Sequence, residues 1–327
     1  MSELLRRTVV EVLVPATSAN LGPGFDTMGL ALGQHDQLMA VITDDPGVRV
    51  DIEGEGAGQL PTDDTHLVVQ AIAAGLAENG IELPGLLLKC RNTIPQGRGL
   101  GSSAAAIIAG LLIARGLIDD GDDRLNDDAV LNIASGMEGH PDNVAAALLG
   151  GFTLAWLEDT ETHAAARAIR RDVHSRIVPI VAVPSTPLVT AEARSILSDA
   201  VSRDAAVFNL ARAGALAHAL CDQPDLLFVA TEDRLHQDAR AQAYPNSHRV
   251  LRDLRGQGLA STISGAGPSV LTLVAAQEVS SESLPDAIGT AVSVIAKACG
   301  DGWMVDAVMV EAQGARMQRR SLGAAST

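Results

Sequence analysis

Apolar and polar residues alternate from Thr8 to Val14 and stop at Pro15, the pattern of a half-buried strand. Two more strand-like runs, 38–43 and 48–52, are split by the turn signal Asp44-Asp45-Pro46-Gly47. The period then becomes helical over 65–78, with Gly80 just beyond. Residues 86–89 read as a short apolar strand. A strongly apolar helix is predicted over 102–115, two further helices over 127–137 and 143–149, and a strand over 150–156. The acidic, Ala-rich stretch 158–171 keeps neither period and reads as a surface region.

The second half predicts a strand over 177–183, helices between 204 and 220, and a helix over 247–254. Strands over 260–263 and 270–274, a helix over 284–297 and a strand over 303–310 complete it, with a frayed tail from Gly314. Strands and helices mix without strict βα alternation. That argues for two α+β domains rather than one doubly wound sheet. The unpatterned stretch places the seam, giving domains 1–165 and 166–327.

Composition narrows the functions open to such a chain. Aromatics are 2% of the 327 residues, so the core is aliphatic and base-stacking surfaces are disfavoured. The net charge of −16 repels nucleic acid and anionic lipid. Lys89 and Lys297 are the only lysines, so a phosphate would have to be held by arginine, backbone amides or a metal. Cys90, Cys221 and Cys299 are far apart, without disulfide or zinc spacing. No run reaches the ~20 apolar residues that span a bilayer. The N-terminus has no signal-peptide pattern, and a cytoplasmic protein without membrane or nucleic-acid partners is expected.

The most informative stretch is Pro95-Gln96-Gly97-Arg98-Gly99-Leu100-Gly101-Ser102-Ser103-Ala104-Ala105, between a predicted strand and the apolar helix. Its glycines permit positive φ and close approach to a ligand. Ser102 or Ser103 can cap the helix. A helix start offers free N–H groups and the positive end of the dipole, an anion site. No lysine follows the last glycine, as a Walker loop requires, and the glycine spacing is not that of a dinucleotide fingerprint.

This loop resembles the ATP-binding motif of the galactokinase, homoserine kinase, mevalonate kinase and phosphomevalonate kinase superfamily. Three other segments agree in order. Pro15-Ala16-Thr17-Ser18-Ala19-Asn20-Leu21-Gly22-Pro23-Gly24-Phe25-Asp26 is similar to the first motif of homoserine kinases. Glu138-Gly139-His140-Pro141-Asp142-Asn143-Val144 is similar to their intermediate segment, and Ser264-Gly265-Ala266-Gly267-Pro268-Ser269 resembles the third, glycine-rich motif.

The resemblance implies an N-terminal domain like the second domain of ribosomal protein S5, a ferredoxin-like C-terminal domain, and a nucleotide in the cleft between them. It implies ATP as co-substrate with Mg²⁺, L-homoserine as acceptor, and a place in threonine synthesis. Related enzymes are commonly homodimers. Residues 95–105 with Gly265 and Gly267 are then the ATP-binding set. Ser102 or Ser103, with Glu138, are the metal candidates. An upstream position that carries the metal glutamate in some relatives falls near Asn132 here. Asp26 suits the substrate ammonium, and Asn20 its amine or hydroxyl. Arg194 and Arg240 resemble carboxylate-binding arginines, whose planar fork matches a carboxylate; Thr190 can add a hydroxyl. Asp142 would sit beside the reacting hydroxyl, oriented by Asn143, with the need for a general base left open. His140 reads as structural.

Three other readings compete. A sister kinase for mevalonate or a sugar would share the glycine motifs but not the pairing of Asn20 with Asp26. A nicotinamide-dependent oxidoreductase would bind NAD rather than ATP, and a non-catalytic sensor would bind homoserine without consuming ATP.

Overall fold

The computed structural model describes residues 4–159, 164–188, 195–198, 200–276 and 284–322. The first sheet is built from β1 (Thr8–Asn20), β2 (Gly24–Ile42), β3 (Val48–Gly54), β4 (Leu86–Asn92), β5 (Phe152–Asp159), β6 (Ala164–Arg171) and, from the far end of the chain, β11 (Arg316–Ser321). Its order is β11-β1-β2-β4-β3, with β5 beside the first part of β2 and β6 beside β5. Opposite β1, the 19-residue β2 therefore serves two neighbours along one edge: Met28, Gly29 and Leu30 pair with β5, and residues 37–42 pair with β4. β3 and β4 run parallel and are joined across the helix α1 (Leu67–Ala77).

Helix α2 (Ser102–Leu117) is apolar all round because it lies in the middle of this domain, with twelve of its sixteen residues buried. The remaining helices of this half are α3 (Gly121–Arg124), α4 (Asp127–Glu138) and α5 (Asp142–Leu149). Asn126 caps α4 through its side chain, and Gly139, at φ 89°, ends it. That stop leaves only His140 and Pro141 before α5 begins. The intermediate segment is thus a tight joint between two helices.

The second sheet has the order β10-β7-β9-β8, from β7 (Ile177–Pro184), β8 (Ala260–Ile263), β9 (Val270–Ala275) and β10 (Trp303–Ala307). Its helices are α6 (Arg203–Cys221), the one-turn α7 (Leu227–Ala230), α8 (Pro245–Gly256) and α9 (Leu284–Cys299). All its pairings are antiparallel, and helices separate β7 from β8 and β9 from β10, the ferredoxin-like arrangement.

Two stretches differ from the sequence expectation. The region 158–171 contains β6, paired residue for residue with β5 from Phe152↔Arg171 to Asp159↔Ala164. The seam drawn at 165/166 thus falls inside a strand of the first sheet, and the change of sheet comes between Arg171 and Ile177. The tail from Gly314 is not frayed through its length: Arg316–Ser321 pairs antiparallel with β1 from Leu13↔Arg316 to Thr8↔Ser321. β6 is an Ala- and Arg-rich edge strand and β11 a polar one; both are placed by backbone pairing with a neighbour, without a hydrophobic alternation strong enough to mark them. No helix among the described residues is long and apolar enough to cross a membrane.

Candidate functional site

The head of α2 is open. Gly101 is its N-terminal flanking residue at φ 70°, with no side-chain cap. The expected capping serine is absent: Ser102 and Ser103 are the first two helical residues. The first N–H groups of a helix have no intrahelical acceptor, so this end presents donors and a partial positive charge to the cleft. Glycine is required here for two reasons. The φ is left-handed, and a Cβ on Gly101 would collide with the Thr17 hydroxyl. A Cβ on Gly99 would likewise strike the Ser264 carbonyl.

Those would-be collisions mark where separate motifs are laced together. Thr17 N donates to Leu100 O (3.0 Å), and Thr17 Oγ1 donates to Asn143 Oδ1 (2.8 Å). Ser264 Oγ lies 2.6 Å from Gly99 O and 2.8 Å from Ser18 Oγ, so one hydroxyl bridges the first motif, the glycine loop and the third motif. Asn20 works at both ends of its amide. Its Nδ2 donates to Gly265 O (2.8 Å) and its Oδ1 accepts from Asp26 N (2.9 Å). Asn20, Leu21 and Asp26 are the only non-glycine residues at positive φ among the described residues, at 68°, 49° and 56°. Such conformations persist only where surroundings enforce them, and here they turn the side chains of Asn20 and Asp26 toward one place.

One cleft is lined by residues from every motif: Asn20, Gly97, Gly99, Gly101, Ser102, Ser103, Glu138, His140, Asp142, Asn143, Arg240, Gly265 and Ala266. Ser103 Oγ donates to Glu138 Oε1 at 2.6 Å, across the head of α2. Asp142 is 1% exposed; its Oδ1 accepts from Asn143 N (2.7 Å) and is 2.5 Å from His140 Nδ1. Ligand atoms of Asp26, His140 and Asp142 all lie within 4.8 Å of one another, a concentration of anionic oxygen suited to a cation. Of the foreseen residues that the structure describes, Asp26, Pro95, Gln96, Arg98, Leu100, Ala104, Ala105 and Gly267 stand outside the lining. Leu100, Ala104 and Ala105 are buried under the helix head.

Known proteins decide what this cleft belongs to. The family model described as GHMP kinases N terminal domain matches residues 66–151. A homoserine kinase of Streptomyces avermitilis is 46% identical over 310 residues, 95% of this chain and 96% of that protein. A homoserine kinase of Streptomyces coelicolor is 50% identical over 268 residues, 82% of this chain and 85% of that one. The crystal structure of homoserine kinase from Cytophaga hutchinsonii matches with a TM-score of 0.78 and 26% identity, covering 96% of this chain and 98% of that chain.

The chain belongs to the homoserine kinase family.

In this chain the Arg98 guanidinium is taken up by three backbone carbonyls. Its Nε donates to Pro184 O (3.0 Å), its Nη1 to Gln96 O (2.8 Å) and its Nη2 to Ser185 O (2.6 Å). With Leu188 N donating to Gly97 O (2.8 Å), this arginine clasps the glycine loop to the strand end of the second sheet. Thr190 and Arg194 lie outside the described residues. Arg240 is 1% exposed, and its guanidinium carbon stands 5.2 Å from the centre of the Phe25 ring, beside Asp26 in sequence.

Asn132, near the alternative metal position, is otherwise engaged: its Oδ1 accepts from Ala166 N (2.6 Å) on β6. Glu138 is the acid that reaches the cleft at the head of α2, beside Ser103. A hydroxyl and a carboxylate at the phosphate end are a donor set that suits Mg²⁺, which takes one or two carboxylates and fills its remaining positions with water and phosphate oxygens.

Sequence reasoning missed Asp36. Its carboxylate accepts from Thr93 N (2.6 Å) and Ile94 N (2.9 Å), fixing the chain as it leaves β4 for the glycine loop. Burial raises its pKa above the ordinary carboxylate value. The neighbouring His35 meets Glu311 (2.8 Å), a partner 276 positions away. Thr17 and Ser264 were inside recognised motifs, yet nothing in their spacing indicated that they join them.

Proposed function

We propose that this chain transfers the γ-phosphoryl group of ATP to the side-chain hydroxyl of L-homoserine, forming O-phospho-L-homoserine for threonine synthesis. One observation carries the reading: the amide-rich head of α2, Asp142 and Arg240 line a single cleft, and the Asp26 carboxylate lies within 4.8 Å of that of Asp142. The first suits a polyphosphate, and the others suit an amino-acid zwitterion.

In this reading the backbone of residues 95–105, with Gly265 and Gly267, cradles the phosphates, and Arg98 shapes the loop rather than touching them. Ser103 and Glu138 would hold Mg²⁺, with Ser102 beside them; when bound, the ion would supply neutralisation of phosphate charge. Asp26 receives the ammonium. Arg240, with Arg194 and Thr190, receives the carboxylate. Asn20 braces Asp26 through its backbone and offers its second lone pair and second proton to the substrate.

Asp142 faces the acceptor hydroxyl. Asn143 N and His140 both fix the same oxygen, Oδ1, so the carboxylate is held in one orientation. A hydroxyl hydrogen-bonded to it is aligned for attack, and positioning of this kind supplies much of the rate in phosphoryl transfer. The cleft belongs to both sheets, so we place the two domains at residues up to about 171 with β11, and the remainder.

The test is ADP release measured with homoserine, threonine, serine and mevalonate side by side, with mass spectrometry of the product. Homoserine-dependent turnover and a product heavier by one phosphoryl group are expected. Turnover with mevalonate in preference to homoserine would overturn the assignment.

A further inference from the structure

His236 is buried to 1% exposure and does not line the cleft, yet it touches what does. Its Nε2 lies 2.8 Å from Gly22 O. A carbonyl only accepts, so Nε2 carries the proton and the imidazole donates. Nδ1 is then an acceptor, with no hydrogen-bond partner among the described residues. Gly22, at φ 91°, completes the left-handed run begun by Asn20 and Leu21. The histidine therefore holds the strained turn at the point where the chain swings back toward Asp26.

The same side chain reaches the substrate arginine by a second route. Its ring centre is 5.2 Å from that of Phe25, at an interplanar angle of 36°. Arg240 stands at 5.2 Å from the same ring, and Arg240 N donates to His236 O (3.0 Å), one turn away. His236 itself is set by Asp233. That carboxylate, wholly buried, accepts from the N–H groups of Leu235 (3.0 Å), His236 (3.0 Å) and Gln237 (2.9 Å) and from Asn209 Nδ2 (2.8 Å). A buried carboxylate with four donors is a rigid mount.

We propose that His236 is a positioning residue for the acceptor substrate: it pins the turn at residues 20–22 and, through the Phe25 ring, sets Asp26 and Arg240 at the mutual spacing of an amino acid's ammonium and carboxylate. The inference rests on the amino-acid reading of the cleft. Burial keeps the imidazole neutral, its pKa below the ordinary value, which suits a fixed donor rather than a proton carrier.

Two variants separate this role from plain packing. The amide of His236→Asn stops short of Gly22 O, whereas the Nε2 of His236→Gln reaches the position of the imidazole Nε2. Steady-state kinetics with homoserine and ATP varied independently is the measurement. His236→Asn raises KM for homoserine about tenfold, with KM for ATP and kcat within about twofold, the loss of one hydrogen bond's orienting effect. His236→Gln stays within about threefold of wild type in all three. Unchanged KM for homoserine in His236→Asn overturns the proposal, as does an equal loss in all three parameters or a Gln variant as poor as Asn. Should His236→Asn not fold, Phe25→Leu is judged by the same split between the two Michaelis constants. A wild-type enzyme without homoserine turnover overturns the reading of the cleft and this inference with it; a competent wild type with indifferent variants overturns this inference alone.

Discussion

The Ser103 hydroxyl donates to the Glu138 carboxylate at 2.6 Å, joining the first turn of α2 to the last residue of α4. The pair is held by two helix ends, so it is aimed before any ligand arrives. Glu138→Gln keeps the shape and a hydrogen bond but removes the charge. It is expected to weaken Mg²⁺ binding to the nucleotide complex and to lower kcat by about 10²-fold or more, since it removes part of the charge stabilisation of phosphoryl transfer. Mg²⁺ titration by calorimetry with a non-hydrolysable nucleotide checks it; unchanged affinity would remove Glu138 from the metal site.

Gly101→Ala adds a methyl at φ 70° against Thr17 Oγ1, the group that also holds Asn143. It is expected to cost about 1–3 kcal/mol in stability from the backbone conformation alone. It should also abolish measurable ATP binding, because the methyl and the displaced Thr17 disturb the head of α2. Urea denaturation and nucleotide titration measure the two effects separately.

Asp26→Asn tests the ammonium contact with little backbone disturbance, since asparagine tolerates the left-handed φ of 56°. Loss of a charge partner worth about 2 kcal/mol predicts a rise of about thirtyfold in KM for homoserine, with ATP binding near wild type. Arg240→Lys should raise the same constant, because a point charge cannot reproduce the planar fork. Equal loss of homoserine and ATP affinity in Asp26→Asn would contradict its assignment.

His66 caps α1: its Nδ1 accepts from Val68 N at 3.3 Å. Burial lowers its pKa below the ordinary 6.5. A histidine depressed in this way stabilises the fold above its unfolded pKa, and that contribution is lost as pH falls below about 6.5, with a limiting slope of about 1.4 kcal/mol per unit. Protonation also removes the cap acceptor and places a cation at the positive end of the helix dipole. His66→Asn keeps an acceptor that does not titrate. Urea midpoints measured at pH 7 and pH 5 should therefore fall less in His66→Asn than in wild type; equal falls would show that His66 does not contribute.

Motif-bearing segments were legible because their chemistry is local. Three glycines ahead of an apolar helix announce an anion site wherever the helix ends up, and Asp142 beside Asn143 is an adjacency in sequence. The arginine in the glycine loop was legible as a loop residue but not in its task, since Pro184 and Ser185 lie more than eighty positions away. Asp36 left no signal at all: a carboxylate in a strand becomes an anchor only when Thr93 and Ile94 arrive beside it.

By itself, then, the chain's linear order determined the helical and strand periods, the open helix head and the kinds of side chain available to a phosphate, an ammonium and a carboxylate. Only the tertiary structure decided that weakly patterned segments such as 164–171 and 316–321 become strands, which serine faces Glu138, and how Asn20, Gly99, Asn143, Arg240 and Gly265 converge. The physical reason is range. Periodicity and glycine conformation act within a few residues, whereas sheet edges and cleft walls are completed by hydrogen bonds to partners 126 or 245 positions distant, which no local pattern encodes.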